Sequence, residues 1–230
     1  MARSLWPSNT YNALWDVRQR AVVIRTLGGV AGRRVVDVGC GTGRLTRWLA
    51  EEQGAKLVVG IDFSRATVDA ARDESPALVS SGLVRFEQAD VVAGLDSLGG
   101  GAFDDAIVLG CFSVACRDQA TLARAFANVA RLVRPGGRVL LLEPIHRSPL
   151  LRRILALGIE EWVAAANRAG LSLVHADRMG FVPLRIVLSV RDLPRAIVGP
   201  LFAAGERLLD GAPWLAPLSD YKLLLFTRAG

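Results

Sequence analysis

The chain has 230 residues, enough for one α/β domain with a substantial core and short for two. Apolar residues make up 51% of it, yet its apolar uncharged runs, such as Ala106 to Cys116 and Ala196 to Gly205, fall well short of the ~20 residues of a membrane span. The net charge of +6 comes almost wholly from arginines scattered along the sequence. No basic run of five or more occurs and no basic face alternates with aromatics, which disfavours a nucleic-acid partner.

The N-terminus, Met1-Ala2-Arg3-Ser4-Leu5-Trp6-Pro7, has no apolar h-region and no small-residue cleavage site, so a secretory signal is not expected. Cys40, Cys111 and Cys116 are odd in number and lack metal-ligand spacing. Both features suit a cytoplasmic protein without a bound metal.

An amphipathic helix is predicted first, from Tyr11 to Leu27, with Leu14, Val17, Ala21 and Ile24 on its inner face. Strand Arg34–Val38, helix Arg44–Gln53, strand Lys56–Ile61 and helix Arg65–Asp73 follow. Next come strand Leu83–Gln88, strand Asp105–Leu109 and helix Gln119–Val133. The turn Arg134-Pro135-Gly136-Gly137 stops that helix and launches strand Arg138–Glu143. Helices near Leu150–Leu157 and Glu160–Ala169 lead to strand Ser172–Ala176. The stretch from Asp177 to Ser219 has helical apolar patterning broken at Pro183, Pro194, Pro200, Pro213 and Pro217, and strand Tyr221–Thr227 closes the chain. A segment of that length between two strands is too long for a plain connector and reads as a lid or binding element. Alternating strands and helices point to a doubly wound, Rossmann-like sheet. The organisation expected is a single domain over 1–230, with a cap helix at 1–28 and a helical lid insertion at 178–219.

The chemistry starts at Val35-Val36-Asp37-Val38-Gly39-Cys40-Gly41-Thr42-Gly43-Arg44-Leu45, a strand, glycine turn and helix of the kind that holds a nucleotide-like cofactor. Asp37 decides the ligand class. A dinucleotide would bring its pyrophosphate to this turn, where a carboxylate repels it; a cationic ligand is attracted instead. Asp62 ends the second strand, placed to hydrogen-bond ribose hydroxyls, and Asp90 follows the third, placed to accept an adenine amine. Alone, either aspartate reads as a solvated loop carboxylate; together at two strand ends they point to a site.

With Phe103-Asp104-Asp105-Ala106-Ile107-Val108 and Leu132-Val133-Arg134-Pro135-Gly136-Gly137-Arg138-Val139-Leu140, these segments resemble the ordered motifs of the class I S-adenosylmethionine-dependent methyltransferases. The resemblance covers about Arg33 to Ala176 and is closest to the group that includes the ubiquinone/menaquinone-biosynthesis methyltransferases. It implies a seven-stranded sheet in the order 3-2-1-4-5-7-6 with the last strand antiparallel, and S-adenosylmethionine as cofactor. It places Asp37, Gly39, Cys40 and Gly41 around the methionine portion, Asp62 on the ribose, Phe63, Ala89, Asp90 and Val91 around adenine, and Gly110, Cys111 and Phe112 along the cofactor.

One departure stands out. Relatives often carry a histidine pair after the fourth strand, whereas this chain reads Gly110-Cys111-Phe112-Ser113-Val114-Ala115-Cys116-Arg117-Asp118. A histidine base at that place is excluded. His146, just past the fifth strand, is either a general base or a loop histidine bonded to a backbone carbonyl. His175 sits inside a strand. Tyr11 and Trp15 either cap the pocket, Tyr11 then facing the reaction, or pack in the core. No cysteine has the setting of a nucleophile. Asp104-Asp105 opens its strand and so lies at the wrong end of the sheet for a metal site.

The function expected is methyl transfer to a small, largely apolar acceptor, with the greasy stretch Phe181–Leu218 supplying a dry pocket. Its arginines Arg185, Arg191, Arg195 and Arg207 either hold an anionic group or an acidic membrane surface, or form a solvated face. The competing readings are an RNA or protein methyltransferase and a non-catalytic cofactor-binding subunit. Oligomeric state is open.

Overall fold

The computed structural model describes residues 6–148 and 154–230. Among them, strands β1 (Arg34–Val38), β2 (Leu57–Asp62), β3 (Val84–Gln88), β4 (Phe103–Leu109), β5 (Val133–Glu143), β6 (Leu171–Phe181) and β7 (Ser219–Arg228) make one sheet in the order 3-2-1-4-5-7-6. The first five pair in parallel, and β7 runs antiparallel to both β5 and β6. This is the topology that the resemblance implies. In β5, Val139 and Leu141 enter one apolar core and Leu140 and Leu142 the other, because successive side chains leave a strand on opposite faces. A strand buried on both sides therefore reads as an unbroken apolar run.

Helices α1 (Asn9–Leu27), α2 (Arg44–Glu51) and α3 (Arg65–Asp73) cover one face together with α9 (Arg195–Gly211). Helices α6 (Gln119–Leu132) and α7 (Ile159–Arg168) cover the other. Three short helices, α4 (Pro76–Ser80), α5 (Phe112–Ala115) and α8 (Val182–Leu188), complete the set. The two first ones have too few residues to show a helical period, which is why the sequence did not announce them.

Ser8 caps α1 by accepting the Tyr11 amide at 3.1 Å, and Gly28 ends it in the left-handed region. The inner face of α1 differs from the one expected. Tyr11, Trp15, Gln19, Val22, Val23 and Leu27 are buried, whereas Val17 is 63% exposed and Ala21 also faces out. Leu14 and Ile24 are partly buried at the edge of the core. The aromatics set the rotation. Trp15 packs edge-on against Tyr221, with ring centroids 5.0 Å apart, and lies against Gly180, where a Cβ would sit 2.5 Å from the ring. Gly180 also has φ +80°, so it meets a backbone and a packing demand at once.

The C-terminal third also corrects the sequence reading. Strand β6 does not stop at Ala176 but pairs with β7 as far as Phe181, opposite Ser219. The helical insertion is therefore Val182–Leu218, not 178–219. Hydrogen-bond pairing along β7 holds residues whose apolar pattern alone looks helical. Pro200 does not break α9, although Pro183 and Pro194 do mark the starts of α8 and α9. Packing of Val198, Phe202 and Leu209 into the core carries the helix through the lost hydrogen bond. The helix predicted over Leu150–Leu157 lies partly outside the described residues, and 154–158 is not helical. The glycine turn after α6 is present as an irregularity of β5: Val133 pairs with Phe103, and pairing resumes at Arg138 opposite Asp105.

These contacts give a direct test of the α1 face. Trp15→Ala should cost ~3–5 kcal/mol of stability, the range for emptying a buried aromatic site. Val17→Ala should stay within about 0.5 kcal/mol, as for an ordinary surface change. Urea unfolding of the two variants checks both.

Candidate cofactor site

The carboxyl ends of β1 to β4 converge on a cavity of about 550 Å³. Val38 and Gly39 reach it from β1, Ile61, Asp62 and Phe63 from β2, Ala89, Asp90 and Val91 from β3. Gly110, Cys111, Val114, Ala115 and Arg117 reach it from the segment after β4, and Ile154 closes one side. Ligands of open α/β sheets bind at this edge, because the strands turn into loops and helix N-termini there.

The loops are tied to one another. The amides of Gly39 and Cys40 both donate to the Ile61 carbonyl, at 2.8 and 2.9 Å. Asp62 accepts the Gly41 amide at 3.1 Å on one oxygen and the Ser64 amide at 3.0 Å on the other. It also lines the cavity. Asp90 accepts the Val92 amide at 2.8 Å and is exposed. Phe63 is 73% exposed, an unusual setting for a phenyl ring, and offers the cavity a bare aromatic face.

At Gly39 the backbone has φ +76°, and a Cβ there would lie 2.6 Å from the Cys111 Cβ and 2.7 Å from its Sγ. The glycine is required by the approach of the β4 loop to the β1 turn, and it keeps that part of the cavity open. Gly41 has open space around it; what it supplies is the amide that holds Asp62.

Eight of the twelve cofactor residues expected from the sequence line the cavity: Gly39, Asp62, Phe63, Ala89, Asp90, Val91, Gly110 and Cys111. Asp37, Cys40, Gly41 and Phe112 do not. Asp37 is 2% exposed and accepts the Thr46 hydroxyl at 2.6 Å, behind the turn. Burial raises its pKa to about 6, with the Thr46 bond opposing. Phe112 points into the core against Phe126 and Trp162. Burial and the neighbouring carboxylates push the Cys111 and Cys40 thiols up, and the Cys116 thiol to about 12, so all three stay protonated.

Neither proposed acid/base residue reaches the cavity wall. His146 is buried, and its Nε2 donates to the Asp220 carbonyl at 2.7 Å, the loop-histidine alternative. Burial lowers its pKa. Tyr11 is 1% exposed within a cluster containing Trp6, Trp15 and Phe202, and burial drives its phenol well above the ordinary value. His175 lies on the exposed side of β6.

The residue that sequence reasoning missed is Glu143. It ends β5 with no exposure at all, and its carboxylate accepts three backbone amides: Cys111 at 2.7 Å, Phe112 at 2.9 Å and Ser113 at 3.1 Å. The β4 loop is thereby fixed against Gly39. Burial lifts Glu143 to about 7 against the pull of those amides. The available signal was a lone carboxylate closing the apolar run Val139-Leu140-Leu141-Leu142. Arg117, Val114 and Ile154 carried no such signal, because only the turn of α5 and the fold of the 154 segment bring them to the cavity.

Residues 35–137 match a family described as a methyltransferase domain. Over that stretch the chain is similar to methyltransferases. It is 32% identical over 141 residues to a 2-phytyl-1,4-naphtoquinone methyltransferase of Synechococcus elongatus, covering 60% of this chain and 58% of that protein. It is 35% identical over 167 residues to a ubiquinone biosynthesis O-methyltransferase of Alkalilimnicola ehrlichii, covering 69% and 62%. The chain thus spans little more than half the length of the curated relatives it matches. The fold matches geranyl diphosphate C-methyltransferase of Streptomyces coelicolor, in complex with S-adenosyl-L-homocysteine, with TM-score 0.68, 17% identity and coverage of 93% and 81%. The residues of the cavity fit the S-adenosylmethionine that the resemblance implies. The cavity volume lies within the usual ~300–1,000 Å³ of small-molecule sites. The glycine turn, the open carboxylate edges and the bare Phe63 ring suit a nucleoside with a cationic tail.

Glu143 yields a stability prediction with a definite sign. Its folded pKa of about 7 exceeds the ordinary 4.5, so its contribution is present below about 4.5 and is lost as pH rises through 7. Glu143→Gln should remove that part of the slope, leaving a urea midpoint less dependent on pH between 5 and 8 than in the parent. Glu143→Ala strands three buried amides and should weaken S-adenosylhomocysteine binding at least tenfold by calorimetry, more than Glu143→Gln does.

Proposed function

We propose that this protein transfers a methyl group from S-adenosylmethionine to a small, largely apolar acceptor of the quinone, lipid or natural-product kind. The observation that supports it is the assembly of Gly39, Asp62, Phe63, Asp90 and Gly110 from four strand ends around one cavity. In this reading Asp62 accepts the ribose hydroxyls, Asp90 accepts the adenine amine, and the exposed Phe63 ring packs on the base. Gly39, Gly110 and Cys111 hold the methionine end in the gap between β1 and β4. Asp37 acts through the turn, as a buried negative charge that favours a cationic ligand. Bound there, the cofactor supplies an electrophilic methyl on a sulfonium.

What remains for the protein is positioning in a dry site, since in-line displacement gains most from holding the reacting atoms about 3 Å apart. Helices α1, α8 and α9 provide the cover. Phe202 of α9 packs on Tyr11 of α1 at 5.5 Å, and Arg18 of α1 binds Glu206 and Asp210 of α9. The Tyr221 hydroxyl of β7, whose ring packs on Trp15 of α1, reaches within 3.8 Å of the place a Gly110 side chain would take, so this aromatic cluster abuts the cavity wall. The acceptor is proposed to enter between them. Cytoplasmic location is part of the reading, and among the described residues no helix is long and apolar enough to cross a membrane.

Calorimetry tests the cofactor assignment. S-adenosylhomocysteine should bind, NAD should not, and Asp62→Ala should weaken the sulfur ligand by roughly 10- to 100-fold, the worth of a charged hydrogen bond or two. NAD binding with no response to either sulfur ligand overturns the assignment. Turnover with labelled S-adenosylmethionine and fractionated extract tests the activity. Binding without any methylated product makes the chain a non-catalytic subunit. His146→Ala should leave the pH profile of turnover unchanged, because its Nε2 is committed to Asp220 and the ring does not reach the cavity.

A further inference from the structure

Helix α9 is apolar on two faces. Val198, Phe202 and Leu209 are packed into the core, while Ile197, Leu201 and Leu208 are 50%, 42% and 50% exposed. At 100° per residue those three exposed side chains fall within about 40° of one another, a single stripe that nothing in the described residues covers. On either side in sequence, Val187 is 61% and Trp214 78% exposed. An uncovered stripe of this kind is a binding surface far more often than a scatter of single surface residues is.

The unpaired charges of this segment have one sign. Arg191, Arg195 and Arg207 are exposed and make no ion pair among the described residues. The carboxylates of the segment are engaged elsewhere. Asp192 accepts the Ser8 hydroxyl and the Thr10 amide, Glu206 is buried on Arg18 and the Gly180 amide, and Asp210 faces Arg18. Apolar side chains, an exposed indole and unpaired arginines form the pattern of a helix that lies in a bilayer interface.

We propose that the outer face of α9, with Val187 and Trp214 at its ends, docks on the surface of an anionic lipid bilayer. Charge complementarity selects this occupant. Two copies of the chain meeting across a two-fold axis would bring six unpaired arginines together with no carboxylate to face them. A bilayer offers phosphates to the arginines and acyl chains to the stripe. The docking face stands on its own observations and does not require the methyl-transfer reading, although it would present the α8–α9 cover to an acceptor dissolved in lipid.

Trp214 provides the probe. The other four tryptophans, Trp6, Trp15, Trp48 and Trp162, are buried, so a change in exposed indole fluorescence reports on Trp214. The full chain is titrated, without cofactor, with vesicles of phosphatidylcholine alone and with vesicles containing a third phosphatidylglycerol. Emission should shift to the blue and be shielded from acrylamide only on the anionic vesicles, and the shift should be absent in Trp214→Phe. Reversing Arg191, Arg195 and Arg207 to Glu should weaken partitioning on the order of a hundredfold or more, at about fivefold for each basic residue lost near the surface. Ile197→Ser with Leu201→Ser and Leu208→Ser should abolish insertion while the far-ultraviolet spectrum and S-adenosylhomocysteine affinity stay as in the parent. No sedimentation with anionic vesicles at millimolar lipid overturns the proposal. So does equal binding by the serine variant, or a parent dimer that the serine changes convert to monomer with vesicle binding unaltered.

Discussion

Three backbone amides pointing at one buried carboxylate hold the working edge of this sheet in place. Glu143 receives Cys111, Phe112 and Ser113, and through them the β4 loop is pressed onto the β1 turn until only glycine fits at position 39. The cavity exists because those two loops meet but do not fuse. A buried carboxylate is costly when it lacks partners, and the amides at the end of the loop would be equally costly without it. Each satisfies the other, which leaves the cavity walls preformed.

The opposite edge of the sheet uses acidic residues in another way. Asp105, fully buried at the start of β4, receives the guanidinium groups of Arg33 and Arg138, with Arg138 Nε at 2.6 Å. Asp104 takes the Arg34 amide at 2.9 Å and Arg134 at 2.7 Å. The guanidiniums of Arg33, Arg134 and Arg138 are spent on structure, and Asp105 is closed off. At the carboxyl edge Asp62 and Asp90 are bound by backbone amides, with no cationic side chain paired to either among the described residues. Carboxylates of the same type thus become staples or binding groups according to whether cations surround them.

The helical cover joins the two ends of the chain. Trp15 and Tyr11 on α1, Phe202 on α9 and Tyr221 on β7 make one aromatic cluster, reinforced by Arg18 on Glu206. The insertion after β6 is therefore half core and half surface. Its inner residues could not be removed without uncovering α1, while its outer stripe is free of internal work. That division is what makes an outward role for α9 physically reasonable.

The sequence by itself determined a doubly wound sheet, because apolar strands alternate with amphipathic helices along it, while the strand order came from the resemblance that its ordered motifs carry. It also determined the cofactor edge, since glycines and acidic residues at strand ends have a local cause that no distant contact is needed to explain. Tertiary structure alone decided which of those residues face the cavity. Asp37 and Phe112 sit at the right positions in the chain, yet one turns toward Thr46 and the other toward Phe126. It likewise decided the inner face of α1, the length of β6 and the role of Glu143. Each of these depends on a partner far away in sequence: Gly180 for Trp15, β7 for β6, and the amides after β4 for Glu143. Periodicity records which residues prefer burial, but the rotation of a helix or the reach of a carboxylate is fixed only when the surface it meets has been built.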